Sequence, residues 1–237
     1  MNKVAKPVGF PLSDWQAPPR PTREVLTGRY CRLEPLSPAH AEALHAANAR
    51  NESGAMWTYL SYGPFPTLEA YRTWIEERSR SRDPLFYAVV DAQVDAQSAV
   101  GVASYLRIKP ASGSLEVGHI AYSPLLQRQR AATEAMYLLM KRAFELGYRR
   151  YEWKCDALNA GSRRAAQRLG FSFEGVFRQA TVYKGRNRDT AWYAVLDKDW
   201  PRLRKAFERW LEPDNFDANA QQRQRLSELV KAAVDPL

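Results

Sequence analysis

The sequence predicts a mixed α/β domain of the α+β kind: one mixed sheet with helices on both faces. Three observations predict it. Segments of period-two alternation are interleaved with segments of helical period, in the order β-α-α-β-β-β-α-β-α-β-β. Turn-rich stretches separate consecutive strands, as in hairpins. The 237 residues are 45% hydrophobic and 12% aromatic, enough for a sizeable core. Such a chain buries its apolar faces most economically by packing helices against a sheet.

Taken in order, residues 1–28 are rich in proline and polar groups and read as an extended arm, with Phe10 and Trp15 as docking points. Residues 29–36 alternate and form the first strand. Ser37-Pro38 supplies an N-cap and a first-turn proline for the helix that carries His40 and His45. Residues 54–66 are aromatic and turn-rich. Thr67 opens a second helix whose apolar face is Leu68, Tyr71, Trp74 and Ile75. Strands follow at 85–90, 100–108 and 115–122, joined by a polar hairpin loop at 91–98 and a turn at 110–114. The helix at 131–144 is amphipathic and ends at Gly147. A strand at 151–155, a helix at 162–169, and strands at 171–183 and 190–196 around a Lys-Gly-Arg-Asn turn complete the unit. The domain is expected at 29–197, with a helical extension at 198–237.

Composition narrows the function classes. The formal net charge of +9 favours anionic partners, and its cations are scattered in small groups rather than gathered in a tail. The chain lacks the stacking-plus-basic motif of common single-strand binders, which argues against nucleic acid. No run of about 18 apolar residues suggests a membrane span. The N-terminus has no apolar leader region. Cys31 and Cys155 form no metal-ligand or redox pattern, as expected of reduced thiols in a cytoplasmic protein.

The stretch from Leu115 to Phe171 carries the chemistry. It contains Glu-Val-Gly-His-Ile-Ala-Tyr-Ser-Pro, then Gln127-x-x-Arg130-x-Ala132 at a helix start, then Asn159-x-x-Ser162 opening a helix that ends in Gly170-Phe171. Helix N-termini present free N–H groups and a positive dipole end, which suits a pyrophosphate. With the closing hairpin 171–196, these stretches resemble the GNAT superfamily of acetyl-CoA-dependent N-acetyltransferases, in its RimJ/RimL-like branch of ribosomal-protein N-terminal acetyltransferases. The resemblance implies a mostly antiparallel twisted sheet and acetyl transfer to a primary amine by direct attack in a ternary complex. The acceptor would be a peptide or protein N-terminus, or an amino-acid-like molecule. A homodimer is also a family expectation.

What the resemblance implies for residues is as follows. The strand residues Ile120, Ala121 and Tyr122 align the cofactor arm. Gln127, Arg128, Gln129, Arg130, Ala131, Ala132 and Thr133 cradle the pyrophosphate. Asn159 and Ser162 contact the pantetheine arm. Two positions depart from the pattern: Arg130 stands where glycine is usual, and Ala166 where many members have a tyrosine that reprotonates the thiolate. Arg130 could add a charge-assisted contact to the cofactor.

Glu116 and His119 are candidate bases. Their odd separation on a strand puts them on opposite faces unless a bulge intervenes. Ser123 lies near the thioester region at the strand end, and Tyr183 and Tyr193 are candidate thiolate acids. Met56, Trp57, Tyr59, Tyr62 and Phe65 would line one wall of the acceptor site, with Arg178, Lys184, Arg186 and Asp189 near the other and Tyr183 a further substrate-binding candidate. The two departures also leave open a non-catalytic acyl-CoA sensor. A basic RNA- or ribosome-binding protein ranks below both.

Overall fold

A computed structural model describes residues 6–92 and 98–234. The hairpin loop expected at 91–98 therefore falls largely outside the described residues, as does the start of the arm.

The strands are β1 (Leu26–Thr27), β2 (Cys31–Pro35), β3 (Leu85–Asp91), β4 (Ala99–Lys109), β5 (Ser114–Tyr122), β6 (Arg150–Asp156), β7 (Ser172–Tyr183) and β8 (Arg186–Leu196). The helices are α1 (Ala41–Ala49), α2 (Leu68–Arg80), α3 (Arg130–Glu145), α4 (Ala160–Arg168), α5 (Trp200–Leu211) and α6 (Leu226–Val234). One eight-stranded sheet runs in the order β1-β2-β3-β4-β5-β6-β8-β7. Among the described residues, only β5 and β6 pair in parallel. Because α3 crosses over between them, the chain can return to the same edge in the same direction.

Each face of the sheet has its own core. Alternate residues of β3 separate cleanly. Tyr87 and Val89 join the cluster beneath α3, α5 and α6, whereas Phe86, Ala88 and Val90 join the one beneath α1 and α2. In α2 the predicted face is buried at Tyr71, Trp74 and Ile75, and the Thr67 side chain accepts the Ala70 N–H at 3.2 Å. The C-terminal helices belong to the first core: Trp200, Leu203, Phe207 and Trp210 pack there with Leu226 and Val230. Among the described residues, no helix is long and apolar enough to cross a membrane.

Two local differences from the sequence reading matter for the site. The closing hairpin turns on Lys184-Gly185, both with positive φ (48° and 69°), so β8 begins at Arg186 rather than Thr190. A two-residue turn with both central residues left-handed matches strand twist and lets the ladder run to its ends. The arm also contributes Leu26–Thr27 to the sheet edge. Behind it, Glu134 of α3 accepts the backbone N–H groups of Arg29, Tyr30 and Cys31 at 2.8, 2.6 and 2.8 Å.

Candidate active site

The parting of β5 from β6 creates the site. They pair only from Ser114 to Val117 and from Arg150 to Trp153. Beyond that β6 continues to Asp156 against β8, while β5 turns away. A bulge explains the divergence. Val102 and Ser104 of β4 face Ala121 and Gly118, so three steps along β5 oppose two along β4. His119 takes up the extra residue with φ +51°, a left-handed geometry that histidine visits more readily than most side chains.

The bulge overturns the strict-alternation expectation. Glu116 and His119 both line one cavity of about 770 Å³. It follows the gap between the strands, past Gly118 and Ile120 on one side and Trp153, Cys155 and Asp156 on the other. On this side β5 has no strand partner beyond Val117 among the described residues, so its backbone donors and acceptors face the gap.

The two candidate bases are in different electrostatic states. Glu116, 3% exposed at its side chain, sits between the Arg107 guanidinium and the Lys154 ammonium, each at 2.8 Å. Lys154 also pairs with Glu152 at 2.7 Å and lies 3.8 Å from the Trp192 ring centroid. Glu152 in turn meets Arg150, which pairs with Glu174. Glu116 thus belongs to a chain of alternating charges laid across four strands, from Arg107 on β4 to Glu174 on β7, and two cations compete for its lone pairs. His119 packs against Tyr62 (centroids 5.6 Å apart) and Phe86 (5.1 Å). Burial, helped by Arg107, Arg78 and Arg188, lowers its pKa from 6.5 to about 4, so the ring is neutral near pH 7.

At one end the cavity meets the start of α3, where Gln127, Arg128, Ala132 and Met136 line it. Gln127 donates to the Tyr122 carbonyl at 2.8 Å, and Arg128 holds a left-handed φ of +65° in the tight turn before the helix. The first-turn N–H groups of α3 have no partner within the helix. Arg168, at the end of α4, joins this end and donates to Thr133 Oγ1 at 2.9 Å. Its guanidinium is half-buried, and burial lowers its pKa. Asn159 caps α4 by accepting the Ser162 N–H at 3.0 Å, and Ser162 Oγ accepts the Trp153 indole N–H at 3.0 Å. Both still face the cavity.

A family model for the acetyltransferase (GNAT) domain matches residues 31–172, well over half of the chain. The protein belongs to the GNAT acetyltransferases. It is similar to a GCN5-related N-acetyltransferase from Brucella melitensis, with 46% identity over 93% of this chain and 100% of that one and a TM-score of 0.90. It is also similar to a probable GNAT acetyltransferase from Chromobacterium violaceum, with 40% identity over 83% and 98% and a TM-score of 0.76. The fold is shared with the Salmonella typhimurium acetyl transferase that modifies the N-terminal serine of ribosomal protein L7/L12, at 22% identity over 73% and 99% and a TM-score of 0.62. No curated protein matches the chain significantly.

Within this GNAT scaffold the structure sorts the residues singled out from sequence. Ile120, Tyr122, Gln127, Arg128, Ala132, Asn159 and Ser162 line the cavity with Glu116 and His119. Ala121 and Ala131 are turned into the two cores instead. Gln129 is the exposed residue ahead of α3, and Thr133 is buried under Arg168. Arg130 departs most from expectation. Its guanidinium lies 4.7 Å from the ring centroids of both Tyr30 and Phe216, so it ties α3 to the residue ahead of β2 and to the C-terminal segment and does not line the cavity. Ser123 is fully buried outside the cavity lining, its carbonyl accepting the N–H groups of Leu126 and Gln127. Ala166 is also fully buried, so a tyrosine there would not fit without repacking.

At the other end, Met56, Tyr59, Ser61 and Tyr183 form the wall. Trp57 is buried behind it, and Tyr62 stacks on His119 and donates to the His119 carbonyl at 3.5 Å. Arg178 is exposed on β7, outside the lining. Tyr193 lies in the core. The Tyr183 hydroxyl donates to Asp156 at 2.9 Å, and burial together with that carboxylate pushes its pKa up to about 12. Arg107, Lys154, Asp156, Arg168 and Arg188 line the cavity but were not singled out as site residues from sequence. The signal was faint on the strands, where Arg107 alternates with buried residues of β4 and Lys154 with those of β6; Arg168, on α4, and Arg188, ahead of the strand expected at 190–196, carried none.

Proposed function

We propose that this GNAT protein transfers the acetyl group of acetyl-CoA to a primary amine by direct attack in a ternary complex. The observation that carries the reading is the gap between β5 and β6, a single cavity joining two differently built ends. The residues fit the cofactor. First-turn N–H groups of α3, with Arg128 and Arg168, form an anion-binding donor set suited to a pyrophosphate. The free β5 edge and Asn159 suit an arm carrying amides.

Acetyl-CoA supplies an activated thioester. The protein's contribution is to hold the amine beside it and to exclude bulk water, which can account for much of the acceleration. Glu116 is held between two cations and His119 is a weak base, so neither is well tuned to strip a proton from an ammonium near neutrality. The acceptor therefore reacts from its own neutral fraction, and the rate rises with pH through the acceptor's pKa. Tyr183 stays protonated throughout this range. The test is thiol release from acetyl-CoA with a panel of amino acids, amines and peptides, with mass spectrometry of the acceptor. Tight CoA binding without acetylation of any amine would overturn the reading in favour of a sensor.

A further inference from the structure

Among the described residues, five cationic side chains line the cavity: Arg107, Arg128, Lys154, Arg168 and Arg188. Four have evident work. Arg107 and Lys154 neutralise Glu116, and Arg128 and Arg168 stand beside the α3 start. Arg188 does not fit either group. It is half-buried on β8, its Nε donates to Thr190 Oγ1 at 3.1 Å, and its guanidinium lies 5.8 Å from the Tyr183 ring centroid. Among the described residues no carboxylate pairs with it. The neighbouring Asp189 is turned to the Gln179 N–H and the Asn187 amide. Asp156 is occupied by the Tyr183 hydroxyl and the Leu158 N–H. A partly desolvated guanidinium without a counter-ion is costly unless a ligand supplies one.

Its position says where that charge would sit. In the β6–β8 ladder Thr190 faces Asp156, and Arg188 is two residues further along β8, on the same face of the sheet. Such diagonal neighbours lie about 7–8 Å apart. One wall thus displays a carboxylate and an unpaired guanidinium side by side, across the gap from His119. Arg188 is near enough to His119 to help keep that ring neutral.

We propose that the acceptor carries a carboxylate close to its amine and that Arg188 is the specificity residue that binds it. This rests on the acetyl-transfer reading above. A single negative charge is specified rather than a dianionic phosphate. Among the described residues, Arg188 is the one cation without a carboxylate partner that lines the cavity at this end; Lys184 lies outside the lining and donates to the Trp57 carbonyl at 2.8 Å.

The experiment compares matched acceptors: an amino acid against its amide, and short peptide amides with Asp or Asn in second place. Wild type, R188Q and R188K are assayed by thiol release. The wild type should favour the anionic member of at least one pair by about 10- to 100-fold in kcat/KM, the range of one charge-assisted hydrogen bond pair. R188Q should erase that preference by losing the anionic substrate selectively, and R188K should restore part of it. CoA affinity should stay within about twofold of wild type in both variants. No preference in the wild type, or an equal loss on both members in R188Q, overturns the proposal. A parallel calorimetric measurement, with CoA present, compares an N-acetyl amino acid and its amide. It reads carboxylate recognition without turnover, so absence of any acetylation would sink the acetyl-transfer reading while this arm still decides the role of Arg188.

Discussion

Replacing His119 by asparagine should flatten the pH dependence of stability between pH 8 and pH 5 by about 2 kcal/mol. In the folded protein, burial and the charges of Arg107, Arg78 and Arg188 hold the imidazole pKa at about 4, against 6.5 in the unfolded chain. Between those values the unfolded chain takes up a proton that the folded one refuses. The stability contributed by the neutral ring is complete above pH 6.5 and is lost as pH falls toward 4. At about 1.4 kcal/mol per pH unit this amounts to about 3 kcal/mol below pH 4 and about 2 kcal/mol at pH 5. Asparagine tolerates the left-handed backbone at this position, so the bulge should survive. Urea unfolding of both proteins at pH 8 and pH 5 measures the difference, with the other titrating groups common to both. An imidazole NMR titration reads the pKa directly. Equal pH slopes in the two proteins, or an imidazole midpoint near 6.5, would refute the assignment of His119 as a desolvated neutral ring.

Three further predictions test the scaffold. Glu134→Gln offers one acceptor oxygen to three backbone N–H groups and leaves at least one buried donor without a partner. It should cost about 1–3 kcal/mol, a drop in Tm of about 3–10 °C for a chain of this size, and an unchanged melting curve would show that the clamp is not structural. Asn159→Ala should weaken CoA binding about tenfold and also lose a helix cap worth about 1 kcal/mol. Asn159→Ser keeps a cap, so it should recover the stability but not the affinity, and calorimetry with CoA decides between the two roles. Arg168→Gln should weaken CoA binding several-fold at low salt, with the gap to wild type narrowing as ionic strength rises. A salt-independent deficit would point to lost packing over Trp210 instead of lost charge.

Most of the fold was legible because its signals are local. Thr67 caps α2, the apolar face of α3 recurs at helical spacing, and Gly147 ends α3 with φ +94°. The parts of the site that lie on one continuous element were equally legible: Gln127 and Arg128 precede a helix, and Asn159 precedes another. What was not legible depends on where a side chain goes after leaving the backbone. Arg130 sits at the first position of α3, yet its guanidinium is drawn away by Tyr30 and Phe216, which lie 100 and 86 residues distant in sequence. Ser123 looked available at a strand end but is sealed beneath the turn that follows it.

By itself the sequence determined the order of the elements, the helix starts and the family pattern, because periodicity, capping and turn chemistry act over a few residues. Only the tertiary structure decided the chemistry of the cavity. One extra residue at His119 rotates the rest of β5 and opens the gap, bringing Glu116 and His119 to the same space. Pairing across strands then sets their states: Glu116 is neutralised by cations from β4 and β6, His119 is desolvated, and Arg188 on β8 is left without a counter-ion among the described residues. Electrostatic state depends on distances and burial among residues far apart in the chain, and a linear pattern does not record those.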